Sequence, residues 1–250
     1  TLTIKATDLK VSFQTHIEVE VKAPGSITVF CDKLLGILRS LPEGELEINV
    51  DENLMVSIRP VFQKIDFNLK SVPSDKYPEI KEIPDESYFE VPQSDFLDMI
   101  SKTLFAVSSD ETRYFMNGVY LEKVDGELIM VATDGRRLSY VSKKVDASIP
   151  DFNGVIIPPK ILHLIRKLAP GEGNLSLAVG DNNLFVRFNQ HRVSSNLIDA
   201  QFPNYKRVIP EKQEHRLLVA RASLQAALKR VSLLVEEKSR RIQLGIEPSN

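Results

Sequence analysis

The chain has 250 residues, 42% of them hydrophobic and 26% charged; this is the composition of a folded globular protein and not of a disordered one, with enough length for one or two domains to bury a core unaided. Thirty-two basic residues stand against 34 acidic ones for a net charge of −2, which excludes a protein that neutralises phosphates over its whole surface and leaves room for a local basic stripe. The single Cys31 excludes an internal disulfide framework and a cysteine-based zinc site, and no apolar run approaches the about 18 residues that a membrane-spanning helix needs.

The chain starts on Thr1-Leu2-Thr3-Ile4-Lys5, a strand-like alternation that is no signal peptide. It lacks an initiator methionine, so the chain is expected to begin inside a larger protein. A first helix is predicted over 33–41. A second runs over 92–107, where Phe96, Met99, Ile100, Thr103, Leu104 and Val107 recur at helical spacing. Two strands, 118–124 and 127–133, flank Asp125-Gly126, a strong hairpin-turn pair. A third helix, 158–169, starts at Pro158-Pro159. Strands carrying Leu175, Leu177 and Val179, then Leu184, Val186 and Phe188, follow around Gly180-Asp181-Asn182-Asn183, and a last helix is predicted over 220–235. Helices among hairpin-linked strands, with no alternating βαβ pattern, make this an α+β chain with antiparallel sheets.

The chain also repeats itself. Leu2–Asp8 reads like Leu128–Asp134; Lys33-Leu34-Leu35, Leu38-Arg39 and Leu41 match Lys160-Ile161-Leu162, Ile165-Arg166 and Leu168. Asp51–Val56 matches Asp181–Val186, Asn68-Leu69 matches Asn196-Leu197, Tyr77-Pro78 matches Phe202-Pro203 and Ile83-Pro84 matches Ile209-Pro210. Val91, Phe96, Ile100, Lys102 and Val107 line up in turn with Val219, Leu224, Leu228, Arg230 and Val235. The separations, 125 to 130 residues, are those of a duplicated domain and too long for a solenoid. The expected organisation is the back part of one copy in residues 1–88, a whole copy in 89–216 and the front part of another in 217–250.

Chemistry is sparse. His16, His163, His191 and His215 have no metal-ligand spacing, and Gly171-Glu172-Gly173 lacks the lysine and hydroxyl that close a phosphate loop. Neither a metal nor a cofactor is expected. Asp110, Glu111 and Asp134 are the best candidates for acid–base work, with no nucleophile or histidine at a readable spacing; a hydrolase built on them is the alternative reading. Charge placement says more. The four predicted helices carry Lys33, Arg39, Lys102, Lys160, Arg166, Lys167, Arg221, Lys229 and Arg230 against Asp95 and Asp98, a net of +7, leaving −9 for the rest. Steps of 100° put Lys160, His163 and Lys167 opposite Ile161, Leu162, Ile165 and Leu168. Basic faces recurring on an acidic body favour a surface turned toward a polyanion.

Four motifs carry a family resemblance: Leu41-Pro42-Glu43-Gly44, Arg113-Tyr114-Phe115-Met116-Asn117-Gly118, Ala132-Thr133-Asp134-Gly135-Arg136-Arg137-Leu138, and Phe202-Pro203-Asn204-Tyr205-Lys206-Arg207-Val208-Ile209-Pro210. In this order and at these separations they resemble the bacterial DNA sliding clamp, the beta subunit of the replicative DNA polymerase holoenzyme. The resemblance implies a DNA clamp fold of three similar domains per protomer. Two protomers would pair head to tail into a ring around duplex DNA, with helices inside and sheets outside. It implies no catalysis, no membrane, a cytoplasmic bacterial setting, and partners that include the polymerase and a clamp loader.

By the same resemblance, Arg113, Phe115, Met116, Thr133, Gly135, Arg136, Leu138, Pro203, Arg207 and Val208 would form a pocket for partner peptides. Met116 replaces a common leucine, and Arg136 stands where histidine is frequent. Phe67 and Leu69 would meet Leu233 and Leu234 of another protomer to close the ring, and the nine basic helix residues would face DNA.

Overall fold

The computed structural model describes residues 1–146, 149–150, 152–212, 214–235 and 241–246. It divides into two units, Thr1–Tyr205 and Lys206–Asn250. The first opens on an antiparallel hairpin, β1 (Leu2–Thr7) and β2 (Val11–Ile17). A short β3 (Ile27–Thr28) leads into α1 (Cys31–Ser40), whose Asp32 and Arg39 sit at the ends where the helix dipole favours each charge. Three antiparallel strands follow, β4 (Leu46–Val50), β5 (Met55–Pro60) and β6 (Phe67–Lys70), and β7 (Val72–Pro73) returns to pair with β3. Their core is small: Val56, Ile58 and Leu69, with Leu34 and Ile37 of α1 and Phe67 packed against it.

The next copy is fuller. β8 (Phe89–Pro92) runs into α2 (Gln93–Thr103), and a single tighter turn carries the chain to Ala106. β9 (Val119–Val124) and β10 (Glu127–Thr133) form the expected hairpin. Its Asp125 and Gly126 have φ of 52° and 77°, the paired positive values of a type I′ turn. Then come β11 (Leu138–Lys144), β12 (Val155–Ile157), α3 (Pro159–Leu168), β13 (Asn174–Val179), β14 (Asn183–Phe188) and β15 (His191–Asn196). The strands make one sheet in the order β11-β10-β9-β12 and contribute β15-β14-β13-β8 to another.

Both sheets and both helices close on one core. Phe96, Met99 and Ile100 of α2 and Ile161, Leu162 and Ile165 of α3 meet Leu121, Leu128, Met130, Leu175, Leu177, Leu184 and Val186 there. β10 is covered twice. Leu128, Met130 and Ala132 enter this core, while Ile129 and Val131 join Ile156, Phe202 and Tyr205 in a second cluster. An apolar run from Leu128 to Ala132 is what a strand buried on both faces requires.

The two copies share a sheet. β2 lies antiparallel on β15, from Gln14 opposite Arg192 to Val11 opposite Ser195, giving six strands in the order β1-β2-β15-β14-β13-β8. β6 and β11 are the outermost strands of their own sheets. One sequence match slips: Leu54 sits in a left-handed turn (φ 62°) before β5, whereas Leu184 is a buried strand residue. Val56, buried on β5, takes the packing position instead.

In the second unit α4 (Arg221–Ser232) has no buried residue, and Leu224, Leu228 and Val231 lie exposed along it. Part of the last predicted segment, at 236–240 and 247–250, lies outside the described residues.

Candidate functional site

The motif at 132–138 folds as a self-bonded turn between β10 and β11. Thr133 and Leu138 are paired across the strands. The Thr133 hydroxyl donates to the Arg137 carbonyl at 2.7 Å and accepts from the Gly135 N–H at 3.1 Å. Asp134 Oδ1 accepts from the N–H groups of Arg136 and Arg137 at 2.9 and 3.0 Å, and its Oδ2 takes Arg137 Nε at 3.1 Å. Gly135 has φ of 83° and lies against Arg113; a Cβ there would stand 2.9 Å from Arg113 Nη1. The left-handed backbone favours glycine at this position. Arg137 reaches back to the Phe105 carbonyl at 2.8 Å and stacks its guanidinium over that ring at 5.4 Å.

Arg113 comes from the other side. Asp110 caps the turn ahead of it, accepting from Thr112 N–H at 3.0 Å, Thr112 hydroxyl at 2.6 Å and Arg113 Nε at 2.9 Å. These bonds hold the Asp110 carboxyl below its usual range, Thr112 first. Asp134 is lowered mainly by the Arg136 and Arg137 N–H groups. Both carboxylates are committed turn caps. Neither joins Glu111 in a cluster poised for catalysis, and the hydrolase reading gains no support.

Beneath the turn lies an aromatic platform that the sequence reading missed. Tyr120 stacks on Phe202 at 4.8 Å. Glu122 accepts from Tyr205 hydroxyl at 2.5 Å and from Tyr120 hydroxyl at 3.1 Å. Burial, with the Glu122 charge, pushes the Tyr120 hydroxyl up to about 12 and raises Tyr205 by the same causes. Leu138 packs on this platform with Ile198 and Ala200. The signal was present in the alternation of β9, where Tyr120 and Glu122 share a face.

The structure thus brings Arg113, Thr133, Gly135 and Leu138 together and sets Pro203 between Phe202 and Tyr205 of the platform. Arg136 is exposed and Phe115 half-buried. Met116 is only 5% exposed, a packed residue more than an open wall. Arg207 and Val208 are exposed in the second unit.

The basic helix residues divide. On α3, Lys160, His163, Arg166 and Lys167 are exposed while Ile161, Leu162 and Ile165 are buried, as the helical steps require. Lys160, however, is paired with Asp8 in the β1–β2 turn, and Lys102 with Asp98 at 2.8 Å. Lys33 and Arg39 on α1, and Arg221, Lys229 and Arg230 on α4, are exposed. Of the expected ring-closing residues, two are on β6, where Leu69 is buried in the small core and Phe67 packs against that core; Leu233 and Leu234 are 82% and 92% exposed. No group of three or more metal-ligating side chains occurs among the described residues.

Comparison with known proteins places the chain. Residues 1–81 match the model of the DNA polymerase III beta subunit N-terminal domain, and residues 90–204 that of its central domain. The beta sliding clamp of Treponema pallidum is 47% identical over 98% of this chain and 66% of its own length. That of Pseudomonas aeruginosa is 35% identical over 98% and 67%. Among solved structures, the Bartonella birtlesii sliding clamp bound to griselimycin superposes with a TM-score of 0.88 at 31% identity, covering 95% of this chain and 65% of that one. The Bacillus subtilis clamp gives 0.87 at 27%, covering 94% and 64%. The chain spans about two thirds of the length of these relatives.

The antiparallel sheets and short helices superpose on those of solved sliding clamps, and the fold is that of a DNA clamp. Within that class, the chain belongs to the bacterial beta sliding clamp family, the beta subunit of DNA polymerase III.

Proposed function

We propose that the protein is a processivity factor: a non-catalytic ring that encircles duplex DNA and tethers the polymerase and other partners by their peptides. The observation that carries this reading is the seam between β2 and β15. One copy completes the next copy's sheet with an edge strand. The counterpart of β15 in the first copy is β6, and the counterpart of β2 in the middle copy is β11; both are outermost in their sheets. The same pairing, repeated head to tail, is a heterologous contact, and such contacts close into rings when the rotation allows. Leu233 and Leu234, exposed, would meet the β6 edge of another protomer, where Phe67 and Leu69 stand.

The domain reading goes with it: 1–88 as the back of a first clamp domain, 89–216 as a complete middle domain and 217–250 as the front of a third. Basic helix faces supply a weak attraction to phosphates that carries no sequence information, which suits a ring that slides. Arg113, Thr133, Gly135, Arg136, Leu138, Pro203, Arg207 and Val208 would receive partner peptides, with Phe115 and Met116 packed behind them. A clamp loader would open the ring, and the setting would be the bacterial cytoplasm.

Retention on DNA tests the proposal. The natural full-length protein, loaded on nicked circular DNA, should stay bound through gel filtration and should be lost when the circle is cut once. Equal retention on circular and linear DNA would remove the topological reading.

A further inference from the structure

The turn that shapes the candidate peptide site occurs twice. In β1–β2 the Thr7 hydroxyl donates to the Val11 carbonyl at 3.1 Å and accepts from the Leu9 N–H at 3.0 Å. Asp8 Oδ1 accepts from the N–H groups of Lys10 and Val11 at 3.0 and 2.7 Å. Leu9 has φ of 72° where Gly135 has 83°. Bond for bond, this is the turn at Thr133–Arg137. Thr7, Leu9, Lys10 and Ser12 therefore stand where Thr133, Gly135, Arg136 and Leu138 stand in the middle copy, and Pro78 stands where Pro203 does.

Those first-copy positions line a cavity of about 90 Å³. Its other wall comes from the next copy, chiefly Asn183 and Ser194. The seam is fixed: the Asn196 N–H donates to the Lys10 carbonyl at 2.9 Å, Asn183 donates to Asn196 Oδ1 at 2.9 Å, and Lys81 Nζ donates to Asn183 Oδ1 at 3.2 Å. The chemistry differs from the middle copy. Leu138 is replaced by Ser12, whose hydroxyl is 2.9 Å from that of Thr7. Lys10 and Lys81 line it, with Lys81 Nζ on the lining residue Asn183, against one acidic residue, Glu79. Asp8, between the lining residues Thr7 and Leu9 in the chain, is occupied by Lys160.

We propose that this seam cavity is a second peptide-binding site, a polar copy of the partner pocket, that holds an acidic side chain of an extended partner segment. Hydroxyls, two amides and two lysines around a space of this size suit a carboxylate, and the apolar side chains of the lining are Leu9 and Pro78. The inference rests on the pocket reading of the middle copy for the peptide class of its ligand.

The test uses the 250-residue chain, isotope-labelled, with two probes: an acetylated, amidated penta-glutamate and its penta-glutamine twin. Penta-glutamate should give saturable amide shifts centred on Ser12, Asn183 and Ser194, and penta-glutamine should not. K10Q/K81Q should weaken this binding about fivefold, the loss expected for two screened ion pairs. K10R/K81R should retain it, and the equally charge-changing K70Q/K144Q, outside the cavity, should leave it unaltered. Shifts confined to α1 and α3, an equal response to penta-glutamine, no saturable shift at millimolar peptide, or indifference to K10Q/K81Q would each overturn the proposal. A peptide ending in Leu-Phe, read at Thr133 and Leu138 in the same samples, tests the middle pocket on its own, so the two readings fail separately.

Discussion

Asp8 and Asp134 cap the same turn in two copies of one domain, yet only Asp8 reaches outside it, to Lys160 on α3. The cause lies three residues further on. In the middle copy Arg137 occupies the second carboxylate oxygen of Asp134. Its counterpart in the first copy is Val11, which offers no cation, so Asp8 Oδ2 is left for α3 of the next copy. A local ion pair has become a tie between copies.

That tie should titrate. Asp8 is held at about 2, first by Lys160 and then by the Val11 and Lys10 N–H groups, against about 3.9 in an unfolded chain. Its contribution is full above pH 4 and lost as pH falls through 2. The pair is half-exposed, so solvent screening limits it to under about 1 kcal/mol. Urea unfolding of D8N should show a shallower acid limb between pH 4 and 2 and a small loss at pH 7. An acid limb identical to that of the unchanged protein would mean the pair contributes nothing.

Gly154 should resist substitution. A Cβ there would stand 1.8 Å from the Tyr120 hydroxyl, the group that donates to Glu122 beside a ring stacked on Phe202. G154A must push Tyr120 off the platform and should destabilise by about 1–3 kcal/mol, the usual cost of overpacking. Removing the ring's obstruction with G154A/Y120L should recover part of the loss. If G154A melts like the unchanged protein, the segment at 154 yields without strain.

Much of this was legible beforehand because local chemistry and fold agreed. Asp125-Gly126 demanded a hairpin, Pro158-Pro159 opened a helix, and the charge and apolar stripes of α3 lie where 100° steps put them. Three features were not legible. The pairing of β2 with β15 joins residues about 180 apart and depends on an edge that either copy could have offered. Lys160 looked like a free basic residue, because nothing near it in sequence announces Asp8. Leu69 reads equally as an interface or a core residue, and its burial against Val56 and Ile58 shows only in the packing. The turn was visible as a repeated Thr-Asp pair, but Leu9 at positive φ concealed its likeness to one containing Gly135.

The basic face of α3 should read as fewer phosphates than its charges suggest. Each phosphate neutralised adds about 0.9 to the log–log salt slope. Lys160 is already engaged by Asp8, so a K160E/R166E/K167E change in the full-length protein should lower the slope by nearer about 2 than about 3 units. Salt titrations of DNA binding, with D8N as the variant that frees Lys160 and raises the slope, check this directly. An unchanged slope would place the DNA surface away from α3.

The peptide site is best tested at Leu138, and burial explains why. Met116 is 5% exposed, so M116D would strand a charge in packed surroundings and destabilise the domain. Any loss of binding would then say little. Leu138 is half-buried, packed on the platform below and open above. Its backbone is held by the pairing with Thr133, which a side-chain change leaves intact. An apolar peptide anchor laid on it gains roughly 1.5–3 kcal/mol from full burial, and ordering the free peptide consumes part of that. Single-peptide affinity should therefore be modest, and L138D should abolish it while unfolding shifts little. L138M keeps volume and apolar character and should bind nearly as the unchanged protein does. Calorimetry with a polymerase-derived peptide, paired with urea unfolding of the same samples, separates the effects. Binding that survives L138D in a stably folded chain would move the anchor away from the turn at Thr133–Arg137.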